Sequence, residues 1–364
     1  MLGCVSHIPE VQDWQWDLAV RMREGIEQVY ASRPDEVECV RAMVNAIDGA
    51  KPVTVNLDKR ASFNLIAEAA FLHGSQSQVQ FRVGSEEYSR ELADLLVLAT
   101  YVEDGGLKFQ RACFIQTKRS RQSEKHAAFR YSIDPWQLAL LSSFPEFRGL
   151  SGVFADLEVR LWNRSGMLGA YGLLSPPGEI VIVSAIVLNQ VLGGRKSFTA
   201  KELVPAILSE SAASRGSVHL PCECCWFDPQ QCPYCHELLA YLLRHYGTFP
   251  RSVLSAAVGN SEASVTTCMG LDEFVRCWTG LRLGEVWRAD SVTLSERVLR
   301  GTLHAAVRRV SSATGKLAEV RKLLDSVSGN DNLRFDGENP QAHDGGLGVL
   351  SVVVSREGWA HQTA

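Results

Sequence analysis

Two strand-like runs joined by a short turn constrain this chain more than any other feature. Leu92 to Val102 and Arg111 to Lys118 are rich in apolar and β-branched residues, and Glu103-Asp104-Gly105-Gly106 lies between them. Short turns that contain Gly and Asp connect antiparallel strands, so this segment predicts a β-hairpin. A third strand-like run, Val79 to Val83, precedes the hairpin. The three runs together predict a meander.

Helical patterns and further strands surround this meander. Residues 11 to 48 predict two helices, of which the second begins with Pro34-Asp35-Glu36 and ends near Gly49. Ala61 to His73 predicts a third helix, because its apolar residues recur at helical spacing. Further along we predict a helix at 135–141, strands at 152–161, 167–173 and 179–187, and helices at about 199–213, 236–246, 270–279 and 292–325. This order predicts an α+β fold with a mixed sheet core flanked by helices.

The same patterns divide the chain into four predicted regions. They are an N-terminal helical support (1–58), the sheet core (59–194), a helical region with a cysteine-rich knuckle (195–327), and a loose tail (328–364). The main boundary is placed near residue 195, because Gly193 to Ser197 has the composition of a linker. Leu347 to Val354 is apolar enough to form a final strand that returns to the sheet.

Composition narrows the class of protein. The chain has 364 residues of which 46% are hydrophobic, enough to bury one large core or two smaller ones. It contains no run of about 18 uncharged apolar residues and no signal-peptide pattern at its start, so we expect a cytoplasmic protein without a membrane partner. A net charge of −4 argues against a surface that is basic overall. Two local basic runs remain: one contains Lys118, Arg119, Arg121, Lys125, His126 and Arg130, and the other Arg297, Arg300, His304, Arg308 and Arg309.

Three polar residues of the hairpin predict a site for phosphoryl chemistry. Gln116 and Lys118 are two residues apart on one strand and therefore point to the same face, and the hairpin brings Asp94 beside them. Asp94 and the Gln116 oxygen are hard ligands suited to Mg²⁺ or Mn²⁺. Lys118 would orient a water molecule and stabilise charge on a phosphate. Glu68 is the preferred additional ligand or base, with Glu87 and Glu91 as second choices.

The order of these residues resembles a known nuclease superfamily. Glu68 on a helix, a strand, Arg90 to Leu98 and then Phe114 to Arg119 are similar in order to the restriction-endonuclease-like PD-(D/E)XK superfamily. They most resemble its Mrr-like branch, in which Gln replaces an acidic residue, and nuclease subunits of bacterial anti-phage and anti-plasmid defence systems. The resemblance covers about residues 60 to 190. Two departures from the commonest pattern are the absence of Pro before Asp94 and the presence of Gln116, whose amide is a weaker ligand than a carboxylate.

This resemblance implies an activity and a set of partners. The expected activity is hydrolysis of DNA phosphodiester bonds with Mg²⁺ or Mn²⁺, through Asp94, Gln116, Lys118 and Glu68. The expected partners are DNA, proteins of a defence complex such as an ATPase or helicase, and a second copy of the chain. The sequence contains no Gly-rich phosphate loop and no dinucleotide fingerprint, so we do not expect this chain to consume ATP by itself.

A cysteine cluster between Cys222 and His236 predicts a second metal site. Two CxxC pairs separated by six residues can place four thiolates around one tetrahedral ion, as structural Zn²⁺ requires. The default ligands are Cys222, Cys225, Cys232 and Cys235, with Cys224 and His236 as alternates. An iron–sulfur cluster is the competing interpretation, since spacing alone does not separate the two.

Two other functions remain open at this point. The chain could be a catalytically inactive nuclease fold that binds DNA or partner proteins through its zinc element. It could also be an iron–sulfur or zinc redox protein in which the match around Gln116 is accidental.

Overall fold

The computed structural model describes residues 8–30, 35–56, 62–73, 77–123, 126–175, 178–199, 202–203, 267–327 and 346–357. Within these ranges no helix has the length and apolar character needed to cross a membrane. The cysteine cluster at 222–236 and the predicted helix at 236–246 lie outside them, as does the predicted helix at 199–213 apart from its first residues.

The described residues form a mixed α+β fold. The helices are α1 (Pro9–Tyr30), α2 (Glu36–Ile47), α3 (Pro135–Ser143), α4 (Ala185–Leu192), α5 (Leu271–Thr279), α6 (Leu294–Thr314) and α7 (Ala318–Val327), with a short 3₁₀ turn at Gly152–Phe154. The strands are β1 (Val53–Asn56), β2 (Ser62–His73), β3 (Gln78–Val83), β4 (Glu86–Glu91), β5 (Leu95–Glu103), β6 (Gly106–Arg119), β7 (Arg121–Ser123), β8 (His126–Ser132), β9 (Phe147–Gly149), β10 (Glu158–Val159), β11 (Gly169–Ser175), β12 (Glu179–Ser184), β13 (Ser197–Thr199), β14 (Thr267–Met269), β15 (Glu285–Arg288) and β16 (Gly346–Glu357).

A nine-stranded sheet organises the molecule. Its order is β1-β2-β16-β5-β6-β11-β12-β14. Strand β15 pairs with residues 109–112 of β6. Strands β5 and β6 are antiparallel, whereas β16 is parallel to β5 and β11 is parallel to β6. One face of the sheet is covered by α1, α2 and α5, and the other by α3, α4, α6 and α7. Because both faces are covered, the central strands are apolar along almost their whole length.

Several sequence predictions are confirmed. Both N-terminal helices are present, and the Asp35 side chain caps the second by accepting a hydrogen bond from the Glu38 N–H. The predicted hairpin consists of β5 and β6, with the turn at Asp104 and Gly105. The final strand, β16, returns to the sheet and lies between β2 and β5.

The third predicted helix is wrong, because Ser62–His73 is strand β2. Its inward-facing residues are Phe63, Leu65, Ala67 and Ala69, which alternate with half-buried ones. Because some of the residues between them are also apolar, the apolar residues of this segment fit the spacing of a helix as well as that of a strand. Pairing with β1 and β16 along the strand decided between the two.

Three other predicted elements differ in their limits. The strand expected at 152–161 is the 3₁₀ turn followed by the two-residue β10. The strand expected at 179–187 ends at Ser184, whose hydroxyl caps α4 by accepting from the Ile186 N–H. The helix expected at 292–325 is two helices, separated at Gly315, where the positive φ of 70° ends α6.

The chain beyond residue 267 contributes to the same sheet as the predicted core. Strand β14 extends the β12 edge, β15 pairs with β6, and β16 inserts next to β5. The sequence placed 195–327 and 328–364 outside the core, yet their described parts supply three strands of the central sheet. The linker-like residues Gly193 and Gly194 form the end of α4.

Candidate functional site

The ends of strands β5 and β6 bring Asp94, Gln116 and Lys118 together. Asp94 stands immediately before β5, and Leu95 pairs with Ile115 one residue before Gln116. The Asp94 N–H donates to the Ile115 carbonyl at 3.1 Å. Its own carbonyl accepts from the Gly348 N–H at 2.9 Å. The backbone of Asp94 is therefore held from both neighbouring strands.

Gly348 is needed for this placement. A Cβ atom there would lie 2.7 Å from Val40 Cγ1 and 2.9 Å from Val44 Cγ2, both on α2. The absence of a side chain lets α2 pack directly over the point where β16 meets Asp94. A residue near the C-terminal end of the sequence thus fixes the position of a site residue in the first third of the chain.

The carboxylate of Asp94 is buried and strongly hydrogen-bonded. Its Oδ2 atom accepts from Gln116 Nε2 at 2.6 Å, from the Thr117 N–H at 2.7 Å and from Thr117 Oγ1 at 2.6 Å. Only 2% of Asp94 is exposed. Burial raises the pKa of Asp94, while the Lys118 charge and the hydrogen bonds from Thr117 and Gln116 act in the opposite direction. The site therefore holds a carboxylate whose charge is only partly compensated.

Helix α3 covers this group and adds Gln137. Gln137 Nε2 donates to the Glu91 carbonyl at 3.1 Å and also to Gln116 Oε1. The helix can approach the sheet because Gly169 of β11 has no side chain. A Cβ atom there would lie 2.2 Å from the Leu141 carbonyl oxygen. The Asp134 carboxylate caps the helix by accepting from the N–H groups of residues 136 and 137. Gln137 therefore fixes the orientation of the Gln116 amide.

Glu91 is the second carboxylate of the site. It is the last residue of β4, and its Oε1 atom is buried with no hydrogen-bond partner in the described part of the chain. Burial raises the pKa of Glu91 to about 8; the Asp94 charge adds to the rise and the Lys118 charge reduces it. The Gln137 amide nitrogen donates to both the Glu91 carbonyl and Gln116 Oε1, which places the Glu91 backbone next to Gln116. The sequence offered Glu91 only as a second choice, because β4 is otherwise polar and exposed.

Glu68 is not brought to the site. It lies on β2, and its two carboxylate oxygens accept hydrogen bonds from the N–H groups of Glu319 and Val320, each at 3.2 Å. These are N–H groups of the first turn of α7, which have no acceptor within the helix. Glu68 therefore caps helix α7. It has this structural role in place of the predicted role as a metal ligand or base. The error follows from the helix predicted over 61–73, which placed Glu68 on a different element.

The basic runs differ in what they contact. On α6, Arg309 donates to the carbonyls of residues 153 and 155 at 2.9 and 2.8 Å, and His304 lies 2.6 Å from Asp325. Arg300 stacks over the Trp287 ring at 5.8 Å. These residues hold α6 to the rest of the fold. Of the run that begins at the site, Lys118, Arg119 and Arg130 are half-buried, and the side chains between 121 and 129 are not described.

The donor set fits a hard divalent cation. Within the ranges that the structure describes, no group of three or more His, Cys, Asp or Glu side chains is arranged to hold a metal ion. The site instead offers two carboxylates, Glu91 and Asp94, and the Gln116 amide, and the Glu91 Oε1 atom has no partner. Oxygen donors of this kind suit Mg²⁺ and Mn²⁺. Gln116 now turns its nitrogen towards Asp94, so its oxygen would have to reorient to become a ligand.

Comparison with known proteins adds no relative. No protein-family profile matches the chain, and neither a curated protein nor a solved structure matches it. The candidate site therefore stands on its own geometry.

Proposed function

We propose that this protein is a metal-dependent nuclease that hydrolyses DNA phosphodiester bonds. One observation carries the proposal: Glu91, Asp94, Gln116 and Lys118, two carboxylates, an amide and an ammonium group, meet at neighbouring strand ends in the centre of the sheet. The resemblance to the PD-(D/E)XK superfamily supports the proposal over β5, β6, α3 and the parallel strand β11, which occur in this order along the chain, whereas the helix that it implies around Glu68 is strand β2.

Each residue of the site would have its own role in phosphodiester hydrolysis. Glu91, Asp94 and the Gln116 oxygen would hold Mg²⁺ or Mn²⁺. Such a cation, when bound, polarises a phosphoryl oxygen and lowers the pKa of water. Lys118 supplies a positive charge with three donors for an oxygen of the phosphate, where negative charge accumulates during the reaction. Asp94, buried and fixed through its backbone on two sides, keeps this group in place.

The partners and setting of the activity follow from the same resemblance. We propose DNA as the substrate and an effector role in a prokaryotic anti-phage or anti-plasmid defence system in the cytoplasm, with an ATPase or helicase supplied by another chain. A second copy of the protein would allow both strands of a duplex to be cut. The net charge of −4 supports contact with DNA through a local surface rather than the whole molecule.

A catalytically inactive nuclease fold that binds DNA or a partner is the second candidate. The observation in its favour is that Asp94 and Gln116 are hydrogen-bonded to other side chains and to the backbone of the protein. Asp94 Oδ2 has three donors, and the Gln116 oxygen is engaged by Gln137. A functional cation must displace part of this network.

The cysteine cluster is a separate proposal, carried by spacing alone. We propose that Cys222, Cys225, Cys232 and Cys235 bind a structural Zn²⁺, since four thiolates leave no open position for catalysis. Metal analysis of the purified protein should return about one zinc per chain. Iron with visible absorption bands would instead support an iron–sulfur cluster and the redox alternative.

Nicking of a supercoiled plasmid tests the nuclease proposal. Purified full-length protein should convert the plasmid to open circles in Mg²⁺ or Mn²⁺, and Asp94→Ala and Lys118→Ala should abolish the conversion. Lys108→Ala is the matched control, because Lys108 lies exposed at the opposite end of the same strand. Intact plasmid with retained DNA binding by the wild type would favour the inactive fold. Intact plasmid without DNA binding would contradict the nuclease proposal and leave only an inactive fold that binds a protein partner.

A further inference from the structure

Tyr171 lies directly beside Gln116. It is on strand β11, which runs parallel to β6, and the two residues are partners in the ladder. Paired residues of neighbouring strands direct their side chains to the same face of the sheet. Asp94 is bonded to Gln116 from the β5 side. Gln116 is therefore flanked by Asp94 on one side and by Tyr171 on the other.

The hydroxyl of Tyr171 is buried and unpaired. Tyr171 is fully buried, and its oxygen has no hydrogen-bond partner within the described residues. Leaving a buried hydroxyl without a partner costs about 1–3 kcal/mol, so such groups are uncommon. Burial raises the pKa of Tyr171 well above its usual value, and the charges of Asp134 and Asp94 act in the same direction. The hydroxyl therefore stays protonated.

The Gln116 amide needs a new partner if its oxygen is to bind a cation. Its nitrogen now donates to Asp94, and its oxygen accepts from Gln137. Reversing the amide would bring its nitrogen against the Gln137 nitrogen, so that two donors would meet. Gln137 cannot turn over without placing its own oxygen against the Glu91 carbonyl, to which its nitrogen donates. The reversed Gln116 nitrogen consequently requires an acceptor other than Gln137.

We infer that Tyr171 is a positioning residue of the cation site, whose hydroxyl accepts a hydrogen bond from the Gln116 amide when the Gln116 oxygen faces a divalent cation. A phenolic hydroxyl can accept as well as donate, which the amide geometry requires. Tyr171 acts through Gln116 and does not itself touch the cation. This role rests on the proposed nuclease function. It explains why a fully buried hydroxyl next to Gln116 has no hydrogen-bond partner among the described residues.

Mn²⁺ binding to the full-length protein tests this role. The free ion is measured by electron paramagnetic resonance for the wild type, Tyr171→Phe and Tyr101→Phe, and Asp94→Asn defines the part of the binding that belongs to this site. Tyr171→Phe removes only the hydroxyl and should weaken that binding about tenfold, as loss of a group that orients a ligand does. Tyr101 is also buried, but it packs on the opposite face of the sheet, so its variant should bind Mn²⁺ like the wild type.

Thermal unfolding without metal provides the second measurement. Tyr171→Phe should be at least as stable as the wild type, because it removes an unpaired buried hydroxyl. Unchanged Mn²⁺ affinity in Tyr171→Phe, with Asp94→Asn still defective, would contradict the role of Tyr171 and leave the nuclease proposal standing. Equal Mn²⁺ binding by wild type and Asp94→Asn would contradict the cation site itself. Equal weakening in Tyr101→Phe would show a general effect on the fold and overturn the assignment.

Discussion

The two ends of strand β6 both carry buried charged residues, but they are compensated differently. At one end, Arg111 and Glu285 are each 5% exposed, and Glu285 accepts from the Ser165 N–H and hydroxyl at 2.7 and 2.8 Å. Arg111 donates to the Gly284 carbonyl at 3.0 Å, and its charge lowers the pKa of Glu285 against the effect of burial. At this end one carboxylate faces one guanidinium.

At the other end the charges do not balance in the same way. Among the described residues the Lys118 charge acts on both Glu91 and Asp94, and burial raises the pKa of both carboxyl groups, as it also does for Glu285. Oxygen atoms of Glu91 and Tyr171 remain unpaired there. Burial of charge is therefore not by itself a sign of function. What distinguishes the candidate site is the surplus of acidic groups, two carboxyl groups beside one ammonium group.

The largest expected effect on stability lies at the balanced end. Arg111→Met should lower the free energy of unfolding by about 3–5 kcal/mol, because it leaves the Glu285 carboxylate buried without its cation. Chemical unfolding monitored by circular dichroism measures this change. A variant as stable as the wild type would show that the Arg111 charge does not stabilise this end and would break the comparison.

The largest expected effect on activity lies at the other end. Lys118→Met should reduce the rate of plasmid nicking about 10²–10³-fold, since it removes a donor for charge that develops on the phosphate. Single-turnover cleavage with the variant in excess of DNA measures this rate. Lys108→Met should retain the wild-type rate, and a similar loss in both variants would point to a general effect of positive charge on DNA binding.

Glu91 should make stability depend on pH. The folded protein holds the Glu91 proton up to a pH of about 8, whereas an unfolded chain loses it near pH 4.5. Between these values the folded state binds more protons, so stability falls as pH rises, by up to about 1.4 kcal/mol per pH unit. Glu91→Gln carries no such proton and should flatten the fall in unfolding temperature between pH 5 and pH 9. An identical pH profile in both proteins would contradict the placement of Glu91.

The smallest expected effect is that of Glu68→Ala, which tests whether Glu68 belongs to the site. Glu68→Ala should lower the free energy of unfolding by about 1 kcal/mol through loss of the cap on α7. Its single-turnover cleavage rate should equal that of the wild type at a temperature where both are folded. A loss of cleavage as large as that of Lys118→Met would restore Glu68 to the site, in agreement with the sequence and against the structure.

Local sequence patterns predicted the parts of the fold that local physics determines. The β5–β6 hairpin, the start of α2 and helix α3 each depend on neighbouring residues, and each was predicted within a few positions. Strand β2 was missed because its apolar residues fit both periods, and only its pairing with β16 made it a strand. That pairing joins residues nearly 300 positions apart, which no local pattern contains.

The residues of the candidate site also differ in whether local sequence patterns predicted them. Asp94, Gln116 and Lys118 were predictable because one hairpin brings them together. Glu91, on the largely exposed strand β4, was only a second choice, and Tyr171 was not predicted, since its strand β11 pairs with β6 across the intervening helix α3. A single polar aromatic residue in the apolar run 167–173 was the one signal for Tyr171.

Plasmid nicking by Asp94→Asn and Glu285→Gln tests the central claim most directly, because each variant replaces a buried carboxylate with an amide of the same shape at one end of β6. Wild type and Glu285→Gln should nick supercoiled plasmid in Mg²⁺ at similar rates where both are folded, and Asp94→Asn should leave it intact. Nicking by Asp94→Asn at the wild-type rate would contradict the assignment of the site.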